Sequence, residues 1–119
     1  METFSQCDLN KILITGSSGG GTASYYSACY DERIKVSVPN CSFCSYKTSI
    51  MNIYHCSCNF IPHAYEWFEM QDLACLIAPR SLLAVNAKED LIFLLLVCEM
   101  LLKQSRGFIK QAVARKIVL

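Results

Sequence analysis

Three short apolar runs, each bounded by turn-forming or charged residues, set the rhythm of the chain. Lys11-Ile12-Leu13-Ile14-Thr15 follows the turn signal Asp8-Leu9-Asn10 and predicts a buried strand. Ile34-Lys35-Val36-Ser37-Val38 predicts a second strand, stopped by Pro39, and Ser81 to Ala87 a third. Between the first two, Gly16 to Gly21 breaks the pattern, and Thr22 to Tyr30 then places small and aromatic residues at helical spacing. Residues 40 to 69 are irregular or short helical and rich in Cys, Ser and aromatics. Glu69 to Ile77 predicts a short helix before Pro79, and residues 94 to 116 read as helical. Strand, helix, strand, helix, strand at these separations predicts parallel strands joined by crossover helices, an α/β fold.

A chain of 119 residues can bury one core but not two, so a single domain over residues 1–119 is expected. Apolar residues make up 53 % and charged residues 18 %, which places the chain among globular rather than disordered sequences. A net charge of +1 offers no electrostatic case for nucleic acid or an anionic membrane as partner. The apolar run Leu91 to Leu102 falls well short of the ~20 residues that span a bilayer. Met1-Glu2-Thr3-Phe4 does not open a signal peptide, which leads to the expectation of a cytoplasmic protein with reduced cysteines. Met1 can equally be an internal methionine of a longer chain, and that expectation holds only if it is not.

The chemistry concentrates at Gly16-Ser17-Ser18-Gly19-Gly20, a G-x-S-x-G pattern with a strand before it and a helix after it. Such a turn is too tight for side chains at the flanking positions. It holds its serine at the strand tip, where a following backbone N–H and the helix N-terminus face developing negative charge. Ser18 is then the candidate nucleophile and the N–H of Gly19 a candidate oxyanion donor. A phosphate-binding loop is the weaker reading, because neither G-x-G-x-x-G nor G-K-[ST] is present.

Further blocks follow in order: Asp31-Glu32-Arg33-Ile34-Lys35, Pro39-Asn40-Cys41-Ser42-Phe43-Cys44, Ile53-Tyr54-His55-Cys56-Ser57-Cys58-Asn59, Asp72-Leu73-Ala74 and Ile77-Ala78-Pro79-Arg80. Together with Ile14 to Thr22 they resemble the bacterial α/β-hydrolases related to acetylxylan esterases and dienelactone hydrolases, over about residues 3 to 93. The resemblance implies a partial α/β-hydrolase fold, truncated at both ends, and hydrolysis of a small-molecule ester by a Ser-Asp-His triad without a cofactor or metal. It places the triad acid in the loop after the third strand, at Asp90, with Glu89 the lesser choice. The acid's task is to accept the imidazole N–H and stabilise the imidazolium.

No histidine follows Asp90, although the order in this fold is Ser, Asp, His. His55 and His63, the only two in the chain, both precede it. The expectation is an esterase by descent that is inactive as it stands. Two rivals remain: a non-catalytic remnant or interaction module, and a zinc-binding module. Cys41-x-x-Cys44 and Cys56-x-Cys58, with His55 and His63 nearby, supply zinc-ligand residue types, though the second pair has an irregular spacing.

The resemblance stops near Phe93. Yet suitable codons from Val97 onward, read one nucleotide earlier, can encode Gly-Val-Arg-Asn-Ala-Phe-Glu-Thr-Val-Lys-Arg-Ile-Tyr-Lys-Ala-Gly-Gly, which is similar to the helix that the family carries there. This predicts a frameshift near residues 94 to 96, which accounts for the apolar run and the basic tail from Lys103 to Lys116. A divergent C-terminal helix is the alternative.

Overall fold

The computed structural model describes residues 7–87, and residues 109–114 as a backbone strand. Four parallel strands form one sheet in the order β1-β2-β3-β4: β1 is Ile12–Ser17, β2 Ile34–Asn40, β3 Ser81–Ala87 and β4 Ile109–Ala114. Helix α1, Gly19–Tyr30, links β1 to β2. The crossover from β2 to β3 contains the short helices α2, Ala64–Trp67, and α3, Met70–Cys75.

Strand β2 runs through Pro39 instead of stopping there. Proline lacks only its own N–H, and the chain around it keeps pairing on both sides: Ser18 N donates to Asn40 O at 2.9 Å and Cys41 N to Val85 O at 2.7 Å. The helical reading of residues 94 to 116 is corrected at Ile109–Ala114, which is a strand. It is in parallel register with β3 from Leu82↔Ile109 to Ala87↔Ala114, and so pairs the outer backbone groups of β3. Strand β1 is the opposite edge, and its burial alternates between half-buried and exposed without a fully buried residue, Leu13 being 53 % exposed.

Helix α1 lies against the sheet through small residues one turn apart: Gly21, Ser24 and Ala28 are all buried. Gly21 permits the closest approach, since a Cβ there would stand 2.7 Å from Asn40 O and 2.4 Å from Ser42 Oγ. Ser24 turns its hydroxyl back to Gly20 O at 2.7 Å, and its carbonyl accepts Ser37 Oγ of β2 at 3.3 Å. The core continues outward with Tyr25, Phe43, Met70, Ala74, Ile77, Leu82 and Ala84. Tyr25 and Phe43 meet edge to face at 5.3 Å, a geometry that adds about 0.5–1.5 kcal/mol to their burial.

Two charged residues brace this arrangement. Arg80 Nη1 donates to Ala28 O, Asp31 O and Ile34 O at 2.8, 3.0 and 2.9 Å, placing a cation at the negative end of α1. Its Nη2 reaches Leu76 O at 3.0 Å. Glu69 accepts from Ser45 Oγ, Tyr46 N and Lys47 N at 3.0, 2.9 and 3.2 Å, and so holds the wide turn Tyr46–Ile50. The same residue caps α3, where its own N–H donates to Asp72 Oδ2 at 2.8 Å. No helix among the described residues is long and apolar enough to cross a membrane.

Candidate active site

All the strands point the same way, so the turns at their carboxyl ends gather at one rim, where open α/β sheets place their ligands. Two residues with positive φ stand there. Ser18, directly after β1, has φ 53 and ψ −122, and Cys41, directly after β2, has φ 45. Ser18 is exposed at the first turn of α1, and its carbonyl accepts the N–H of Thr22 at 3.0 Å. A serine driven into this region by the chain on both sides is strained, because its Cβ crowds the backbone.

The glycines around it are required unequally. A Cβ on Gly16 would stand 2.4 Å from Gly20 O and 2.5 Å from Gly20 C, so the chain doubles back against Gly16 too closely for any side chain. A Cβ on Gly20 would meet nothing within 4 Å. The expectation that both flanking glycines avoid clashes therefore holds at Gly16 and is corrected at Gly20, whose backbone is the obstacle and whose own side-chain position is open. At Gly19 a Cβ would meet Cys58 Sγ at 3.0 Å.

That contact brings the 3-10 turn Ser57–Asn59 to the start of α1. Asn59 is buried, and its Oδ1 accepts Thr22 Oγ1 at 2.7 Å, while the same hydroxyl lies 3.3 Å from Ser18 O. The amide end of Asn59 donates to Cys56 Sγ at 3.2 Å and Cys58 Sγ at 3.6 Å. Neither Thr22 nor Asn59 stands out in the sequence as part of a site. Thr22 lies one helical turn from Ser18, and Thr22 and Asn59 each close a block that carries the family resemblance, which gives neither of them a role.

The histidines are engaged elsewhere. Buried His55 shares a hydrogen bond of 3.2 Å between its Nε2 and Ser49 Oγ. Exposed His63 pairs its Nδ1 with Glu66 Oε1 at 2.9 Å. Asp90 and Glu89 lie outside the described residues, so the expected acid has no described position. Ser18 and Gly19 are adjacent at the rim.

Among the described residues, no group of three or more His, Cys, Asp or Glu side chains is arranged to hold a metal ion. The zinc reading, which draws on Cys41, Cys44, Cys56, Cys58, His55 and His63, finds no such group among them. Cys44 is buried, with its backbone N–H on Met70 Sδ at 3.3 Å, whereas Cys56 and Cys58 are exposed beside α1. Two buried polar atoms near the rim, Ser42 Oγ and Asn86 Oδ1, have no hydrogen-bond partner among the described residues.

Solved structures place this geometry in a wider class. The chain is similar to a carbohydrate esterase family 15 glucuronoyl esterase from Caldicellulosiruptor kristjansonii, with TM-score 0.70 and 17% identity over 92% of this chain and 39% of that one. It is also similar to the glucuronoyl esterase from Solibacter usitatus, with TM-score 0.71 and 14% identity over 94% of this chain and 40% of that one. Uncomplexed acylaminoacyl peptidase of Pyrococcus horikoshii aligns with TM-score 0.67 and 19% identity over 93% of this chain and 20% of that one. No family profile and no curated protein matches the sequence. The fold is thus a partial α/β-hydrolase fold, and the chain spans two-fifths or less of the length of these structures.

Proposed function

We propose that the chain carries the nucleophile side of a serine carboxylic-ester hydrolase, with Ser18 as nucleophile, the Gly19 N–H as oxyanion donor and Asp90 as the acid. The observation that carries this reading is the backbone of Ser18, held at φ 53 and ψ −122 between a parallel strand and a helix N-terminus. Strain of this kind persists only where surrounding structure enforces it, and it clusters at catalytic turns. In the proposed chemistry Ser18 Oγ adds to an ester carbonyl as its proton passes to a base. The oxyanion faces the Gly19 amide and the α1 terminus, and loss of the alcohol leaves an acyl-serine for water to cleave. A small acetyl ester is the proposed substrate class, and no cofactor enters the scheme.

The base is the missing part. His55 and His63 precede Asp90 in the chain and are hydrogen-bonded to Ser49 and Glu66, so neither is assigned to Ser18. The chain by itself is therefore proposed to be inactive, and residues 94–119 to be read in a shifted frame. The second reading, a non-catalytic remnant or interaction module, gains support from the engagement of both histidines away from the serine. The test compares hydrolysis of p-nitrophenyl acetate by four proteins at one concentration. These are the chain, its Ser18→Ala variant, a protein restored to the alternative frame through a downstream histidine, and that protein with Asp90→Asn. The first two should be equal. The third should turn over, and the fourth should fall by a factor on the order of 10⁴. Ser18-dependent turnover by the short chain would reassign the base to His55 or His63, and an inert restored protein would leave the remnant reading standing.

A further inference from the structure

The cysteines flanking Ser57 have no part in the proposed ester chemistry, yet Cys58 lies against the serine turn at Gly19. Both are exposed. Ser57 between them starts a 3-10 turn, which folds the two Cα positions toward each other and within the span that a disulfide bridges. A single donor, Asn59 Nδ2, reaches both sulfurs, at 3.2 Å and 3.6 Å, so the two thiols converge on one point. Asn59 is itself 1 % exposed and fixed at its other end by Thr22, so this point does not drift.

From this convergence we infer that Cys56 and Cys58 form a thiol–disulfide exchange site that takes low-molecular-weight disulfides such as oxidised glutathione. The neighbouring Cys56 side chain first, and desolvation second, raise the pKa of the Cys58 thiol. Cys58, whose Sγ stands against Gly19 at the start of α1, is the resolving thiol, and Cys56 is the attacking sulfur. The Cys56 thiolate adds to one sulfur of the glutathione disulfide, whose S–S bond breaks to release one glutathione thiolate. Cys58 then gives its proton to solvent and attacks Cys56 Sγ, expelling the second glutathione thiolate. Both leaving groups take up protons, so two protein thiols and one disulfide become one protein disulfide and two glutathione thiols.

The location gives the site a consequence. Cys58 Sγ already limits the space over Gly19, where a Cβ would stand only 3.0 Å from it. Asn59, which donates to both sulfurs, also holds the hydroxyl of Thr22, and that hydroxyl lies 3.3 Å from the carbonyl of Ser18. Oxidation therefore occurs three hydrogen bonds from Ser18, relayed through Asn59 and Thr22. Any effect of this oxidation on ester cleavage rests on the proposed function; the exchange chemistry rests on the pair itself.

The full chain with Cys75→Ser provides the test, because tryptic cleavage at Lys47 and Arg80 then yields a fragment whose only cysteines are Cys56 and Cys58. The protein is equilibrated in glutathione buffers of increasing oxidation, quenched with an alkylating agent and analysed by mass spectrometry. The expected result is loss of both alkylatable thiols from this fragment with no glutathione attached. Cys58→Ser should instead trap glutathione on Cys56, an adduct absent from the parent. Asn59→Ala, which keeps both thiols and removes their shared donor, should shift the midpoint of oxidation. A fragment that carries glutathione on either sulfur in the parent, or stays fully alkylated throughout, overturns the proposal, as does an Asn59→Ala midpoint identical to the parent's.

Discussion

The hydroxyl of Thr22 donates to Asn59 Oδ1 at 2.7 Å across 37 residues of chain, with both partners buried. This bond ties the first turn of α1 to the 3-10 turn of the β2–β3 crossover. The burial makes the pair vulnerable to loss of one member. Thr22→Val keeps the shape and leaves the Asn59 acceptor unsatisfied, at a cost of about 1–3 kcal/mol. Asn59→Leu should cost less at this contact, because the Thr22 hydroxyl can still donate to Ser18 O at 3.3 Å. In urea unfolding the midpoint should fall in both variants at unchanged m, and a double-mutant cycle should give a coupling well above zero. Additive effects would mean that the contact contributes no coupling.

The glycines supply a sharper contrast. Gly16→Ala puts a Cβ 2.4 Å from a backbone carbonyl oxygen that has no side-chain freedom to yield, and about 3 kcal/mol or more of destabilisation is expected. Gly20→Ala places its methyl in open space in the first turn of a helix, where alanine is preferred over glycine by about 0.5–1 kcal/mol. The expected outcome is opposite in sign for two residues of the same motif. Thermal melts of the two variants decide it, and equal losses would contradict the geometry.

This contrast also marks how far the sequence could be read. The G-x-S-x-G pattern, the three strand runs and their parallel order were legible because each rests on local period or turn chemistry. The limits of β2 were not, because Pro39 reads as a strand breaker until both neighbours are seen to pair around it. Ile109–Ala114 read as helix because nothing local shows that the outer edge of β3 is available to it. In the sequence Arg80 stands out only as part of an Ala-Pro-Arg block. Its actual work, joining carbonyls of Ala28, Asp31, Ile34 and Leu76, spans separations of up to 52 residues that no window covers. Asn59 was hidden for the same reason, since its partners are set by tertiary contact and not by spacing.

Stability should fall at alkaline pH, and the sign follows from burial. Desolvation first of all raises the Cys29 thiol from 9.0 to about 11, and burial raises the phenols of Tyr25, Tyr26 and Tyr46 as well. Each group holds its proton more tightly folded than unfolded. Its contribution is therefore fully present below its unfolded pKa and is lost as pH rises through the folded value. The urea midpoint should drop between pH 9 and 11, and Cys29→Ala should flatten part of that drop. A midpoint that is level or rising over this range would show that these groups are ionised as readily in the folded chain as outside it.

Open apolar surface should govern behaviour in solution. Leu13 on the edge strand is 53 % exposed, and Tyr54, Trp67 and Leu76 are 90 %, 81 % and 58 % exposed. Parallel sheets ordinarily have both faces covered, and an uncovered edge strand is a template for association. The purified chain should form concentration-dependent oligomers, and Leu13→Lys should shift them toward monomer without loss of the fold. Light scattering across a dilution series reads this directly. A strict monomer at all concentrations would contradict it.

The last prediction separates a turn shaped for chemistry from one that is merely tight. At φ 53 and ψ −122, Ser18 sits where a Cβ is unfavourable and glycine is not. Residues in such regions store on the order of 1–3 kcal/mol, so Ser18→Gly should raise stability by about 1 kcal/mol or more. Ser18→Ala keeps the Cβ and hence the strain, and no side-chain hydrogen bond from Ser18 caps α1. Its stability should therefore stay within about 0.5 kcal/mol of the parent. A serine retained where glycine is more stable is a stability–activity trade-off, in which the hydroxyl serves the reaction and not the fold. Equilibrium unfolding of the parent and both variants tests this without any substrate. If Ser18→Gly were the least stable of the three, the serine would be holding the turn together, and the case for a strained nucleophile would fail on thermodynamic grounds alone.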